Sequence, residues 1–310
     1  VSEISMTIPV EVSQPIAPAE GPARPTKPVS LLDRLTDLGP RVLAAFILAV
    51  GAIVSLVSGG VVFLLVWLAA ALVVPLEWQR LIGGSQPSLR IMVGSLAIVV
   101  AAILANANSI HFALLVLGLG ALASAYLADE GRRGWSAAGI FYAGCLIVAV
   151  LALRLSFPFG PRAIGWLFAV VWGTDVVAYF AGRLIGGPRF VPQISPSKTW
   201  AGTLCGMVGG ACLGSLFLIL AAHVSQLETP APLFVLFVLG LITSAVAQGG
   251  DLFESWTKRC FGAKDSGALI PGHGGLMDRL DGFIAAAIWV TIIGIMHGYP
   301  SPAEGLFHWM

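Results

Sequence analysis

The densest chemistry in the chain lies between Ser255 and Asp281, SWTKRCFGAKDSGALIPGHGGLMDRLD, where four cations, three carboxylates, one histidine and five glycines interrupt a largely apolar sequence. Lys258, Arg259, Lys264 and Arg279 supply donors for phosphate oxygens, the arginines as forks suited to bidentate contact. Asp265, Asp278 and Asp281, with Asp251 just upstream in GGDLFES, supply the hard oxygen ligands that Mg2+ selects. Cations and carboxylates in one segment point to a polyanionic substrate delivered with a divalent metal, as in phosphoryl or nucleotidyl transfer. The carboxylate count also suits a second metal ion. Pro271-Gly272-His273-Gly274-Gly275 lies between the two sets, a bend through which backbone N–H groups can approach phosphates. A loop whose charges only fixed topology would need neither the clustered glycines nor carboxylates at a membrane boundary.

The order and spacing of these residues resemble the signature of the phosphatidate cytidylyltransferases, also called CDP-diacylglycerol synthases. Ser255, Lys258-Arg259, Lys264-Asp265, His273-Gly274-Gly275, Asp278-Arg279 and Asp281 stand at the family's spacing, with Thr257 at a usually apolar position. Gln248-Gly249-Gly250-Asp251-Leu252 is similar to the family's Gln-x-Gly-Asp-Leu run. Ile194-Ser195-Pro196-Ser197-Lys198-Thr199-Trp200 is similar to its Ser-Pro-x-Lys-Thr-Trp loop, and Asp175, Ala178-Tyr179 and Gly182-Arg183 to the helix before it. The resemblance runs from about Asp175 to Gly282. Ser197, Ala201 and Gly282 stand where many members have Lys, Glu and Ser, which leaves Lys198 as the one cation of its loop.

The resemblance implies transfer of a cytidylyl group from CTP to phosphatidic acid, with Mg2+, giving CDP-diacylglycerol and pyrophosphate, and it implies a homodimer. It implies a catalytic set of Asp251, Asp278, Lys258, Arg259, Lys264, His273 and Arg279. The implied substrate-binding set is Ser195, Lys198, Thr199, Asp175, Gly274 and Gly275. Asp251 and Asp278 are expected as direct metal ligands, with Asp281 as a third carboxylate. His273, flanked by glycine, suits a phosphate contact, base catalysis or a loop-stabilising role equally. The residues alone leave open a CTP-dependent lipid-alcohol kinase, which would release CDP. They also leave open a transporter, against which stand the one-sided charge and the lack of an inverted repeat.

Composition sets the class. With 57% hydrophobic and 11% charged residues, the chain cannot hide its apolar surface in a water-soluble core. The net charge of +1 argues against a nucleic-acid partner. Cys145, Cys205, Cys212 and Cys260 show no metal or redox spacing, and no disulfide is expected. Residues 1–38 read as a disordered or interfacial cytoplasmic tail without a cleavable signal peptide. Residues 39–160 read as N-terminal membrane helices and 161–310 as the catalytic membrane region.

Val42 to Glu77 is too long for one span of about 20 residues and is broken at Gly59-Gly60, so it reads as a helical hairpin. Further spans are expected at 91–105, 111–128, 138–153, 163–182, 201–222, 232–250 and 282–299, the 91–105 segment being short enough to tilt or re-enter. The fold expected is all-α, a polytopic integral membrane protein of about nine transmembrane helices in the cell (inner) membrane. With the N-terminus cytoplasmic, 15 of the 17 Lys and Arg residues fall inside and only Arg154 and Arg162 outside. Both motif segments, 183–200 and 251–281, then face the cytoplasm, where nucleoside triphosphates are. Asp175 falls within a span, about 12 Å from its Arg183 end at 1.5 Å per residue. An ionisable group at that depth marks a functional site, with Tyr179 one turn on as its expected local partner.

Overall fold

The computed structural model describes residues 31–225, 231–267, 269 and 274–309, without the side chains of 31–42 and 225. It is helical almost throughout. The long helices are α1 (Leu31–Ser58), α2 (Gly60–Ile82), α3 (Pro87–Asn106), α4 (Ile110–Tyr126), α5 (Arg133–Arg154), α6 (Gly160–Leu184), α7 (Trp200–Ser225), α8 (Leu233–Cys260) and α9 (Met277–Met296). A short α10 (Pro302–Phe307) follows, and a two-stranded antiparallel hairpin, β1 (Arg189–Val191) and β2 (Ser195–Thr199), joins α6 to α7. Among the described residues seven helices are long and apolar enough to cross a membrane, while Leu43–Ser58 and Ile110–Tyr126 are shorter apolar helices. The chain is an integral membrane protein of the all-α class, with this one short hairpin.

Each apolar segment of the sequence became a helix, and the α1–α2 hairpin breaks where expected. Gly59 and Gly60 both have positive φ (61° and 49°), and the space a Cβ would need at Gly59 is filled by the Arg154 guanidinium. Several boundaries differ. Helix α3 starts at Pro87, with proline in the first turn where its missing N–H costs nothing, and its 20 residues reach about 30 Å. Helix α8 runs on to Cys260 instead of ending at 250, and α9 starts at Met277 instead of 282. Hydropathy marks where lipid contact ends. It does not mark where backbone hydrogen bonding ends, so by hydropathy alone the charged turns of both helices look like loop. Helix α1 begins at Leu31, inside the stretch read as tail, whose first 30 residues lie outside the described ones.

Helix α5 is the centre of the bundle. Leu146 to Leu153 are all buried, an unbroken run with no polar face, which a helix adopts only when enclosed on every side. Large apolar side chains such as Val57, Val61, Met92, Leu96 and Leu122 point outward, as lipid solvation permits. Helices α6 and α7 meet along a glycine seam: a Cβ at Gly206 would lie 2.8 Å from the Ala178 Cβ and 2.9 Å from the Thr174 carbonyl. Such close backbone approach is how membrane helices gain van der Waals contact without a hydrophobic driving force. Thr174 then donates to Ser244 (2.8 Å) and ties α6 to α8.

Arg154 and Arg162, the two basic residues expected on the far side from the rest, both sit at helix ends. Arg154 donates to the Leu56 carbonyl (3.1 Å) in the last turn of α1, and Arg162 to the Ala221 carbonyl (3.4 Å) near the end of α7. A cation at a helix C-terminus satisfies orphan carbonyls and complements the helix dipole.

Candidate active site

Because α8 stays helical past Gln248, Asp251, Glu254 and Lys258 share one face at i, i+3 and i+7. The Lys258 ammonium donates to Glu254 Oε2 on its own helix and to Asp278 Oδ1 in the first turn of α9, both at 2.8 Å. Asp278 is further held by the backbone N–H groups of Ser266 (3.1 Å to Oδ2) and Gly275 (2.8 Å to Oδ2). Residues 258, 266, 275 and 278 thereby form one knot that closes the motif on itself. Gly274 enters this knot with φ of 85°, and a Cβ there would meet Asp278 Oδ2 at 2.7 Å.

Asp281 lies one turn further along α9. Its carboxylate adjoins that of Asp251 and receives the Gly282 N–H (2.8 Å), and its carbonyl accepts the Tyr142 hydroxyl from α5 (3.1 Å). Gly282 sits at the α8–α9 crossing, where a Cβ would lie 2.7 Å from Asp251 Oδ1. The two helices come close here, with the Ala247 carbonyl 3.0 Å from the same point.

Lys198 arrives from the hairpin. Strands β1 and β2 pair Arg189 with Thr199 and Val191 with Ser195, and Phe190 packs edge-to-face on Trp200 at 4.6 Å. The hairpin carries Lys198 to Asp251, Nζ to Oδ2 at 2.9 Å, with both side chains about a quarter exposed. The Thr199 hydroxyl accepts the Gly202 N–H (3.1 Å), so it caps α7. Asp175, Tyr179, Arg183, Lys198, Gln248 and Asp251 line a cleft of about 420 Å3 between α6, the hairpin, α7 and α8. Asp175 faces this cleft within electrostatic reach of Asp251, Lys198 and Arg279. Tyr179 does not partner Asp175: it accepts a hydrogen bond from Arg183, whose guanidinium lies 5.3 Å from the ring centroid.

Asp175, Lys198, Asp251 and Asp281 thus converge, and Lys258 with Asp278 lies beside them. Arg259, Lys264, Asp265 and Ser195 are not drawn in. Arg259 is exposed and donates to the Ala263 carbonyl (3.3 Å), Lys264 and Asp265 are exposed, and Ser195 sits in the hairpin. His273 lies outside the described residues. Sequence reasoning missed Glu254, Glu77 and Tyr142. Glu254 was readable, being one turn from Asp251 and one from Lys258. Glu77 was a lone carboxylate in an apolar helix, a signal of the same kind as Asp175.

Among the described residues no three His, Cys, Asp or Glu side chains converge as a preformed metal cage. The donor set nevertheless fits Mg2+. Asp251 and Asp281 place two carboxylates side by side, and Glu254, 1% exposed, keeps Oε1 buried with no hydrogen-bond partner among the described residues. All are hard oxygen donors, and Mg2+ ordinarily completes its shell with water and substrate phosphates rather than with a full protein cage.

The sequence model of the cytidylyltransferase family matches residues 39–296. The phosphatidate cytidylyltransferase of Brucella abortus biovar 1 (strain 9-941) is 39% identical over 276 residues, spanning 88% of this chain and 99% of its own length. That of Rickettsia prowazekii (strain Madrid E) is 33% identical over 193 residues, 61% of this chain and 82% of its own. That of Helicobacter pylori (strain ATCC 700392 / 26695) is 42% identical over 130 residues, 42% of this chain and 46% of its own. The family match takes in the long helices together with Asp175, Lys198, Asp251 and Asp278, and the chain belongs to the cytidylyltransferase family.

Proposed function

We infer that this chain is a phosphatidate cytidylyltransferase, joining CTP and phosphatidic acid into CDP-diacylglycerol with release of pyrophosphate. The observation that carries the reading is the cleft: Asp175, Lys198 and Asp251 line it, between the hairpin and helices α6, α7 and α8, which are long and apolar enough to cross a membrane. A lipid phosphate and a nucleotide can meet there without a soluble domain.

In this reading an oxygen of the phosphatidate phosphate attacks the α-phosphorus of CTP, and the bond from that phosphorus to the pyrophosphate oxygen breaks. The attacking phosphate needs little deprotonation near neutral pH, so no general base is required. Lys198 and Arg183 lie at the cleft to hold phosphate oxygens, and the Lys258 ammonium, held by Asp278, would turn to a phosphate when one is bound. Arg279 would add positive charge near the phosphates, while Arg259 and Lys264, exposed at the end of the motif, would act only at longer range. Asp251 and Asp281, joined by Asp278 once Lys258 turns to a phosphate, would hold Mg2+. That ion supplies charge neutralisation at the reacting phosphates. Asp175 lines the same cleft, within electrostatic reach of Lys198 and Arg279.

The same reading takes all nine apolar helices as spans, with the N-terminus and both motif segments on the cytoplasmic side of the cell (inner) membrane. It is supported by the 15-to-2 partition of basic residues. The decisive experiment incubates the purified chain with phosphatidic acid, Mg2+ and each of four labelled nucleoside triphosphates. CDP-diacylglycerol and pyrophosphate from CTP are expected. Release of CDP with transfer of the γ-phosphate would make the chain a lipid kinase instead.

A further inference from the structure

Helix α9 carries Asp278 and Asp281, yet it has no cap of its own: the residue at its N-cap position is Leu276, whose side chain has no oxygen. The N–H groups of a first turn need partners, above all in a buried setting. They find one in a residue 199 positions away, on α2. Glu77, 2% exposed, accepts the Leu276 N–H on Oε1 (2.9 Å) and the Met277 N–H on Oε2 (2.8 Å). The Ser266 hydroxyl also donates to Oε2 (3.3 Å). A carboxylate at a helix N-terminus gains from both the N–H groups and the dipole. The motif's glycines make room for it. A Cβ on Gly275 would lie 2.6 Å from Glu77 Oε2, and one on Gly267 would lie 3.1 Å from Oε1.

We propose that Glu77 is a positioning residue for the transfer reaction: from α2 it caps α9 and pins the Ser266 end of the motif loop, fixing where Asp278 and Asp281 stand against Asp251 and Lys258. It touches no substrate. The inference rests on the cytidylyl-transfer reading of the cleft, and it extends the site to a helix that the signature does not include.

The test uses the full chain in nanodiscs, with steady-state kinetics and hydrogen–deuterium exchange. Glu77→Gln keeps the size of the side chain but turns an NH2 group toward donors, so at least one N–H loses its acceptor. Turnover is expected to fall about 10- to 100-fold, as small misplacements of catalytic groups do. The KM for phosphatidate should hold, and exchange should rise in 274–282 but not in 160–184. Gly275→Ala, which crowds the carboxylate from the other side, should give the same local signature with Glu77 intact. Asp251→Asn should lose turnover while keeping wild-type protection of 274–282. Wild-type turnover in Glu77→Gln, unchanged protection of α9 in either Glu77→Gln or Gly275→Ala, or protection lost evenly over all helices would each overturn the proposal. Full activity in Asp251→Asn would instead overturn the reading of the cleft, and the exchange data would still report on the cap.

Discussion

Replacing Lys258 by Met should destabilise the protein more than any other single change in the motif, and the structure says by how much and why. The ammonium bridges Glu254 Oε2 and Asp278 Oδ1 at 2.8 Å each, with the Lys, Glu and Asp side chains only 12%, 2% and 9% exposed. Removing the shared cation leaves two buried carboxylates facing each other, and breaking a buried pair this way costs about 3–5 kcal/mol. The two carboxylates do not suffer equally. Asp278 keeps the Ser266 and Gly275 N–H groups, whereas Glu254 already has Oε1 without a partner and would lose its one strong donor. Glu254 should therefore carry most of the penalty, and adding Glu254→Gln to Lys258→Met should recover most of the stability. Activity should not return with it, because the phosphate-binding ammonium is still missing. Denaturant unfolding in mixed micelles, followed by tryptophan fluorescence and run beside a turnover assay, reads both quantities. A Lys258→Met chain as stable as wild type, or a double variant no more stable than the single, would refute the account of the knot.

Asp251→Asn, which removes charge from the centre of the cleft, should lower turnover by at least about 10²-fold, or roughly 2.7 kcal/mol in barrier height, without unfolding the chain. Activity that survives EDTA would refute the metal-centred part of that expectation. In a background without native cysteines, Lys264→Cys should resist a membrane-impermeant thiol reagent added to intact cells and Glu304→Cys should react; the opposite pattern would invert the topology. At the Ser85–Asp129 contact, the Ser85 hydroxyl and N–H, followed by Arg132, hold the Asp129 carboxyl below its usual 3.8. A lowered folded value means that the contact is fully present above the unfolded value and is lost as pH falls through the folded one. Protection of the Ser85 N–H, corrected for its intrinsic exchange rate, should therefore persist at about pH 4 and decline only further into acid; a decline already at about pH 5 would contradict the assignment.

Most of the fold was legible because lipid imposes a coarse and uniform demand. A segment of about 20 apolar residues must be a helix, since no other local structure satisfies its backbone in hydrocarbon. Gly59-Gly60 stood out for the same reason, as the one place where the long run from Val42 could turn. The charged ends were another matter. Asp251, Glu254 and Lys258 look like loop residues by hydropathy, yet their i, i+3 and i+7 spacing is helical, and reading period instead of polarity would have extended α8 correctly. The hairpin at 189–199 gave no such signal. Its strands are three and five residues long, and proline and serine occupy the second.

The site was legible as an inventory and illegible as an assembly. The signature named Lys258, Asp278 and Asp251, but not that Lys258 is committed to Asp278 or that Lys198 is committed to Asp251 across 53 residues of chain. Pairings at that separation depend on which helices pack, and glycines decide that. Gly282 admits Asp251 to α9, Gly275 admits Glu77 to the motif loop, and Gly206 brings α7 against α6, beside the cleft. In a motif scan these positions read as flexibility, whereas in the structure each marks a close approach of a carboxylate or a backbone. The carboxylates of this protein are therefore placed by the absence of side chains opposite them. A single added methyl at Gly275 should then disturb the chemistry more than loss of an exposed cation such as Arg259, although a glycine cannot bind a phosphate through a side chain.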